Sequence, residues 1–360
     1  MNLFFDARYI KTDYHDGISR YTTELGNAVA KFTHVTFIIC DKKQLNFLPK
    51  KADYILSHSP TSLNEPLSSL KLNKYSPDVV FSPMQTFGSF GRKFKLILSL
   101  HDMIYYHHRT PPRQLNPAIR LGWWLFHLTH LPQRIVLNNS DAVVTVSETS
   151  KKEILNANLT KRTVNVIYNA PQDLRQKING PVIQDKKGPR NIIYVGSFMP
   201  YKNAETLIDA MKWLPNHTLH LMSKITTERK NELKKRARIS AKIVFYDGFD
   251  DIQYAKLLQD NSVLVTASKC EGFGLPVVEA MAVGVPVVIS DIPIFHEVGG
   301  KGALYASPDN AKDFAEKILS LNNPKIHFDL IKEGKKQVAK FSWDKSAKKL
   351  LKLAESLASN

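Results

Sequence analysis

Apolar positions along this chain follow two alternating patterns. Short runs rich in Val, Ile, Leu and Phe occur at 2–6, 35–40, 78–81, 96–100, 142–146 and 164–168, and again at 191–196, 219–222, 243–246, 263–267 and 287–289. Runs of this length and composition predict buried strands. Stretches with helical spacing lie between them: after Gly17 through Leu25 and Val29, from Ser147, after Asn203, at 277–284, at 309–319 and at 341–354. Strand and helix in alternation predict parallel sheets wrapped by helices, an α/β architecture. The alternation breaks at 172–190, a polar stretch with Gly180, Pro181, Gly188 and Pro189 that reads as an interdomain linker. The expected organisation is a first domain over 1–172 and a second over 190–340.

Composition changes this picture little. A length of 360 residues suits two domains, and 43% hydrophobic with 23% charged residues is ordinary for a globular protein. The net charge of +17 is spread over both halves, and would attract nucleic acid, anionic lipid or an anionic substrate without choosing among them. Two cysteines, Cys40 and Cys270, make no disulfide framework, and no Cys/His spacing suggests zinc. The first ten residues lack the pattern of a signal peptide, and no apolar stretch reaches membrane-spanning length, so a cytoplasmic protein is expected. The stretch 105–134 is unusual. It combines Tyr105, Tyr106, His107, His108, Arg109, Arg113 and Arg120 with an apolar run from Leu121 to Phe126. Aromatics with arginines suit a helix lying in lipid headgroups, which would hold the protein at the inner face of the cell membrane. The same composition suits a core helix, or a platform that stacks on an aromatic acceptor, and the three readings stay open.

The chemistry concentrates between Glu271 and Glu279. This stretch follows the strand at 263–267 and opens a helix, with Pro276 in the first turn. A helix N-terminus behind a Gly-containing loop favours a phosphate. Two carboxylates beside a phosphate site would repel it, unless they bind the uncharged, hydroxyl-bearing ends of the same ligand. Sugar, diphosphate and ribose in that order describe a nucleotide sugar.

The Glu271/Glu279 pair, with Gly274-Leu275-Pro276 inside it, residues 284–288 after it, then Asp291 and Glu297, resembles the motif of retaining GT-B glycosyltransferases of family 4 (group 1). The resemblance implies two Rossmann-like domains facing across a cleft, and a C-terminal helix, 341–360, crossing back to the first domain. It implies that Glu271 and the backbone of Gly272, Phe273, Gly274 and Leu275 hold the donor sugar, and that Glu279 holds the ribose. His101-Asp102, directly after a strand, is similar to a family element whose His reaches the transferred sugar; a His there can donate a hydrogen bond to a hydroxyl or carbonyl. Gly17 resembles the Gly loop on the acceptor side, where Asp102 also belongs. Residues 146–150, Val-Ser-Glu-Thr-Ser, are similar to a further family pattern. Gly196, Ser197 and Lys202 resemble the phosphate-binding loop, with Lys202 as a point charge for the diphosphate. Gly248 and Phe249 lie where relatives seat the base. Many members carry an arginine at the place of Ser197 or Tyr201, so backbone amides, Lys269 or another cation must compensate here.

The expected catalytic set is therefore Glu271, His101 and Lys202. The chain has no Asp-x-Asp pair, so no metal and no cofactor are expected beyond the nucleoside diphosphate sugar as co-substrate. Residues 5–8, Phe-Asp-Ala-Arg, resemble bacterial mannosyltransferases that use GDP-mannose, which favours that donor over UDP-glucose or UDP-N-acetylglucosamine. The acceptor expected by analogy is a glycan or glycolipid of the cell envelope. Retention by front-face attack, with domain closure excluding water, is the implied mechanism. A sugar-nucleotide 2-epimerase is the alternative on the same fold. A nucleic-acid-binding protein is the second alternative, suggested by charge alone; no aromatic–basic sheet or recognition helix is visible, so nucleic acid is not an expected partner.

Overall fold

The computed structural model describes residues 1–13, 16–111, 116–178, 180–182, 188–237 and 241–359. Arg113 and the linker residues 183–187 lie outside the described residues. The chain forms two compact units, one of residues 1–169 and 342–360, the other of residues 170–341.

In the first unit the apolar runs become strands β1 (Leu3–Asp6), β2 (Val35–Ile39), β3 (Asp53–Leu56), β4 (Val79–Ser82), β5 (Lys95–Ser99), β6 (Ala142–Thr145) and β7 (Val164–Val166). All pair in parallel, in the order β3-β2-β1-β4-β5-β6-β7. Every residue of β1, β4 and β6 is buried, as sheets covered by helices on both faces require. The order reverses between β1 and β4, and in such sheets ligands bind outside the carboxyl ends of the strands at the reversal.

The last helix, Trp343–Ala358, belongs to this unit. Ala347, Leu350, Leu351 and Ala354 share one buried face, which lies against the helix Gly17–Ala30. The Ser346 hydroxyl donates to the carbonyl of Tyr168 at 2.6 Å.

The second unit carries β8 (Asn191–Tyr194), β9 (Thr218–Leu221), β10 (Lys242–Phe245), β11 (Ser262–Thr266), β12 (Val287–Ser290) and β13 (Ala303–Ala306). These are again all parallel, in the order β10-β9-β8-β11-β12-β13, with the reversal between β8 and β11. The start of the expected linker departs from a free connector. Leu174–Lys177 is a short 3₁₀ turn of the second unit, with Leu174 buried. Arg175 donates to the carbonyl of Ala282, and Lys177 pairs with Asp251 at 2.5 Å, so polar composition here hid a strap with specific partners. No helix among the described residues is long and apolar enough to cross a membrane.

Candidate active site

The second unit's site is built at its reversal point. The loop after β8 is shaped from below by Tyr194, whose hydroxyl donates to the carbonyl of Ser197 at 2.6 Å. A Cβ at position 196 would stand 3.0 Å from that hydroxyl, so glycine is what fits over the ring. The N–H of Gly196 donates to Ser223 Oγ at 3.0 Å. The loop closes in the 3₁₀ turn Pro200–Lys202, and Asn203 follows in the left-handed region at φ 53°. The N–H of Lys269 donates to the carbonyl of Tyr201 at 2.8 Å, tying this loop to the one after β11.

That tie brings Lys202 to Glu271. The Lys202 ammonium lies 2.5 Å from Glu271 Oε1, with the two side chains only 17% and 12% exposed. The Ser268 hydroxyl donates to the same oxygen at 2.8 Å. Oε2 takes no hydrogen bond from the described residues. Expectation had given Lys202 to the diphosphate and Glu271 to the sugar; here each is also the other's ligand.

Behind Glu271, Gly274 adopts φ 94°, and a Cβ there would lie 2.8 Å from the ring of Phe295. The helix Leu275–Val283 then begins with Pro276 in its first turn and no side chain of the preceding residue capping it. Pro276 has no N–H and that of Val277 donates to the carbonyl of Gly274 at 3.0 Å, so the N–H of Leu275 is what this helix start offers an anion. Gly272 and Glu279 are buried. Phe273 turns inward, edge-on to Phe341 at 5.2 Å, so its side chain serves packing.

Gly248, at φ 91°, and Phe249 follow β10. A Cβ at 248 would meet the Lys224 stem at 3.1 Å. Ser223, Lys224 and Ser268 are site-lining residues that sequence reasoning missed, because each sits after a strand without any recurring motif. Cations that could stand in for the absent loop arginine are already paired. Lys269 pairs with Asp309 at 2.5 Å, and Arg229 donates to the carbonyl of Phe198 while pairing with both Glu205 and Glu232.

In the first unit, His101 follows β5, and its Nε2–H donates to the carbonyl of Pro83, just after β4, at 2.8 Å. The ring of Tyr21 stands edge-on at 4.8 Å. Burial pushes the imidazole below its ordinary range, against the opposing pull of the Pro83 carbonyl, Asp102 and Asp16. A neutral ring with its proton on Nε2 leaves Nδ1 as an acceptor. The expected donor role is filled here by Nε2 toward the Pro83 carbonyl, and Nδ1 is the nitrogen that would accept from a ligand. Asp102 accepts from the N–H of Ile104 at 3.0 Å, which turns the chain into the next short helix.

Gly17, expected on the acceptor side, opens the helix Gly17–Ala30. A Cβ there would meet nothing within 4 Å, and the Asp16 carboxylate already caps the helix Gly17–Ala30 while pairing with Lys11 at 2.5 Å.

Deeper in the unit, Arg8 is fully buried between Asp6, at 2.8 Å, and Glu65, at 2.7 Å. Burial works against its charge, and the two carboxylates outweigh that, holding the guanidinium above its ordinary range. Among the described residues, no three His, Cys, Asp or Glu side chains gather as metal ligands.

Both units resemble known proteins. The family profile "Glycosyl transferases group 1" matches residues 176–337, and "Glycosyltransferase Family 4" matches residues 15–170. The chain is 26% identical over 344 residues to the O-antigen chain mannosyltransferase RfbU of Salmonella typhimurium, covering 91% of this chain and 92% of that protein. It is 32% identical over 224 residues to an uncharacterized glycosyltransferase of Methanocaldococcus jannaschii, where the match spans 61% of each. Among solved structures, sucrose-phosphate synthase from Thermosynechococcus elongatus superposes with a TM-score of 0.73 at 20% identity over 99% of both chains, a likeness of fold. Two family profiles that between them account for both units, on two parallel sheets of matching topology, establish that the chain belongs to the group 1, family 4 glycosyltransferases of GT-B fold.

Proposed function

We propose that this chain transfers a mannosyl group from GDP-mannose to a glycan or lipid-linked acceptor of the cell envelope, retaining the anomeric configuration. The observation that carries the reading is the Lys202–Glu271 contact beside the uncapped start of the helix Leu275–Val283. A cation and the positive end of the helix suit a diphosphate, and the second oxygen of Glu271 suits sugar hydroxyls. The near full-length match to an O-antigen mannosyltransferase supports mannose and the cell envelope.

In the proposed reaction the bond between the anomeric carbon and the diphosphate oxygen breaks, and its electron pair leaves with GDP. The acceptor hydroxyl attacks from the same face and passes its proton to the departing phosphate. Lys202 and the backbone amides stabilise the charge that gathers on GDP, without calling on a divalent metal. His101, through Nδ1, accepts a hydrogen bond from a sugar hydroxyl.

A thermal-shift series with GDP-mannose, UDP-glucose and UDP-N-acetylglucosamine tests the reading. A ligand at a hundredfold excess over its Kd stabilises the folded state by about 2.7 kcal/mol. GDP-mannose is expected to raise the Tm most, and Lys202→Ala to remove most of the rise. A response to UDP sugars alone would reassign the donor, and no response to any of the three would overturn the site.

A further inference from the structure

We propose that Tyr194 and Arg229 are positioning residues for the donor's diphosphate. Each holds one carbonyl of the loop after β8, and so turns the N–H groups of Phe198 and Met199 toward the phosphates, where they take the place of the absent loop arginine. The inference rests on the nucleotide-sugar reading of this site. The two held carbonyls are consecutive. The Tyr194 hydroxyl donates to that of Ser197 at 2.6 Å, and Arg229 Nε donates to that of Phe198 at 3.3 Å. The peptide bonds of this loop are trans. In a trans peptide the N–H points opposite to the carbonyl that precedes it. The N–H of Phe198 is therefore turned away from Tyr194, and that of Met199 away from Arg229. Neither has a hydrogen-bond partner among the described residues. The N–H of Gly196 differs, because Ser223 Oγ already takes it at 3.0 Å. Successive amides left without partners attract an anion.

The Arg229 guanidinium is itself fully engaged. Nη2 pairs with Glu205 and Nη1 with Glu232, the latter at 2.9 Å, which leaves Nε for the loop. Glu205 is the second residue of the helix Ala204–Ala210, which follows the same loop. Its other oxygen is buried without a hydrogen-bond partner, so the carboxylate depends on Arg229 for its charge. The pair is largely screened from water, with the two side chains 19% and 24% exposed. A planar fork can hold a carbonyl and two carboxylates at once, which the single ammonium of a lysine cannot match. On the other side, the Phe198 ring lies 5.8 Å from that of Tyr194, which is fully buried. The loop is thus fixed at both carbonyls and at the side chain between them, and its amides are oriented before any ligand arrives. Fixed amides need no reorganisation as charge gathers on a leaving diphosphate.

Isothermal titration of the full chain with GDP and with UDP, and competition by guanosine and uridine, tests the proposal. The wild-type chain is expected to bind one diphosphate far more tightly than the matching nucleoside. Two variants release the carbonyls separately. Tyr194→Phe removes the hydroxyl, and the double substitution Arg229→Met/Glu205→Gln removes the guanidinium without leaving a buried carboxylate unpaired; Glu232 is exposed. Each is expected to lower affinity for that diphosphate about tenfold, while affinity for the nucleoside and the Tm stay close to wild type. A general loosening of the fold would weaken diphosphate and nucleoside alike. Equal losses for the two, or no loss for either, would overturn the positioning role while leaving the site itself intact. A wild-type chain that binds neither diphosphate would overturn the proposed function and this inference with it.

Discussion

Lys202 and Glu271, 69 residues apart in sequence, meet at 2.5 Å because the two strands that lead to them, β8 and β11, are neighbours at the point where the sheet order reverses. Parallel topology thus does what no local pattern could: it sets a cation against a carboxylate where a diphosphate and a sugar would join. The pair is mostly screened from water, so losing one partner strands the other's charge. Lys202→Met and Glu271→Gln are each expected to cut kcat/KM by about 10²–10³. Urea denaturation should show each single variant destabilised by about 1–3 kcal/mol, and the double variant by less than the sum of the two. Additive losses would mean that the two side chains act separately.

The histidine of the first unit should make stability depend on pH. Burial holds His101 below its ordinary pKa of 6.5, so between that value and its lower folded value the unfolded chain binds the extra proton. Stability contributed by the neutral ring is whole above 6.5 and falls as pH drops through that window. His127, His130, His217, His220 and His327 are shifted in the same direction by burial, and add to the slope. Urea midpoints are expected to fall between pH 7 and pH 5, with a shallower fall in His101→Phe. The same variant should lose about 10²-fold in turnover, since the Nδ1 acceptor is gone.

Two glycines of the expected site should respond in opposite ways to alanine. Gly274→Ala forces φ 94° on a side chain and drives its Cβ into Phe295, so a loss of about 1–3 kcal/mol is expected. Gly17 has open space around it, and alanine there should leave stability within about 0.5 kcal/mol or raise it slightly. Chemical denaturation of the two variants side by side gives the comparison.

Arg8 is a further structural test. Replacing it with Met leaves Asp6 and Glu65 buried and facing one another, and is expected to cost about 3–5 kcal/mol in urea unfolding. A smaller loss would show that the carboxylates find other partners or take up protons.

Much of the fold could be read from the chain because most of its strands are buried, and buried parallel strands announce themselves as unbroken apolar runs. Edge strands are mixed: β10 has no buried residue and still shows as the apolar run from Ile243, whereas β3 does not. The edge strand β3 exposes Asp53, Tyr54 and Leu56, and shows no run at all. The helix Thr227–Arg236 buries Leu233 alone beneath a Lys- and Arg-rich surface, so its helical spacing has a single mark. Strand β13 hides behind Gly300 and Gly302 and carries only four residues. At the site, Glu271, Glu279 and Gly274 stood out because a dense local motif surrounds them. Ser268 and Ser223 did not, since a serine after a strand looks like any turn until its partner is known. The tautomer of His101 was equally hidden, because the Pro83 carbonyl that fixes it comes from a neighbouring strand's loop.

The central claim concerns transfer of a sugar from a nucleotide, and proton NMR of the full chain incubated with GDP-mannose follows it directly. With no acceptor added, slow hydrolysis is expected to release GDP and mannose, with the α-anomer appearing first before it equilibrates, and Glu271→Gln should stop both signals. First appearance of the β-anomer would contradict retention, and a donor left intact in every nucleotide sugar tried, with and without glycan acceptors, would contradict the account as a whole.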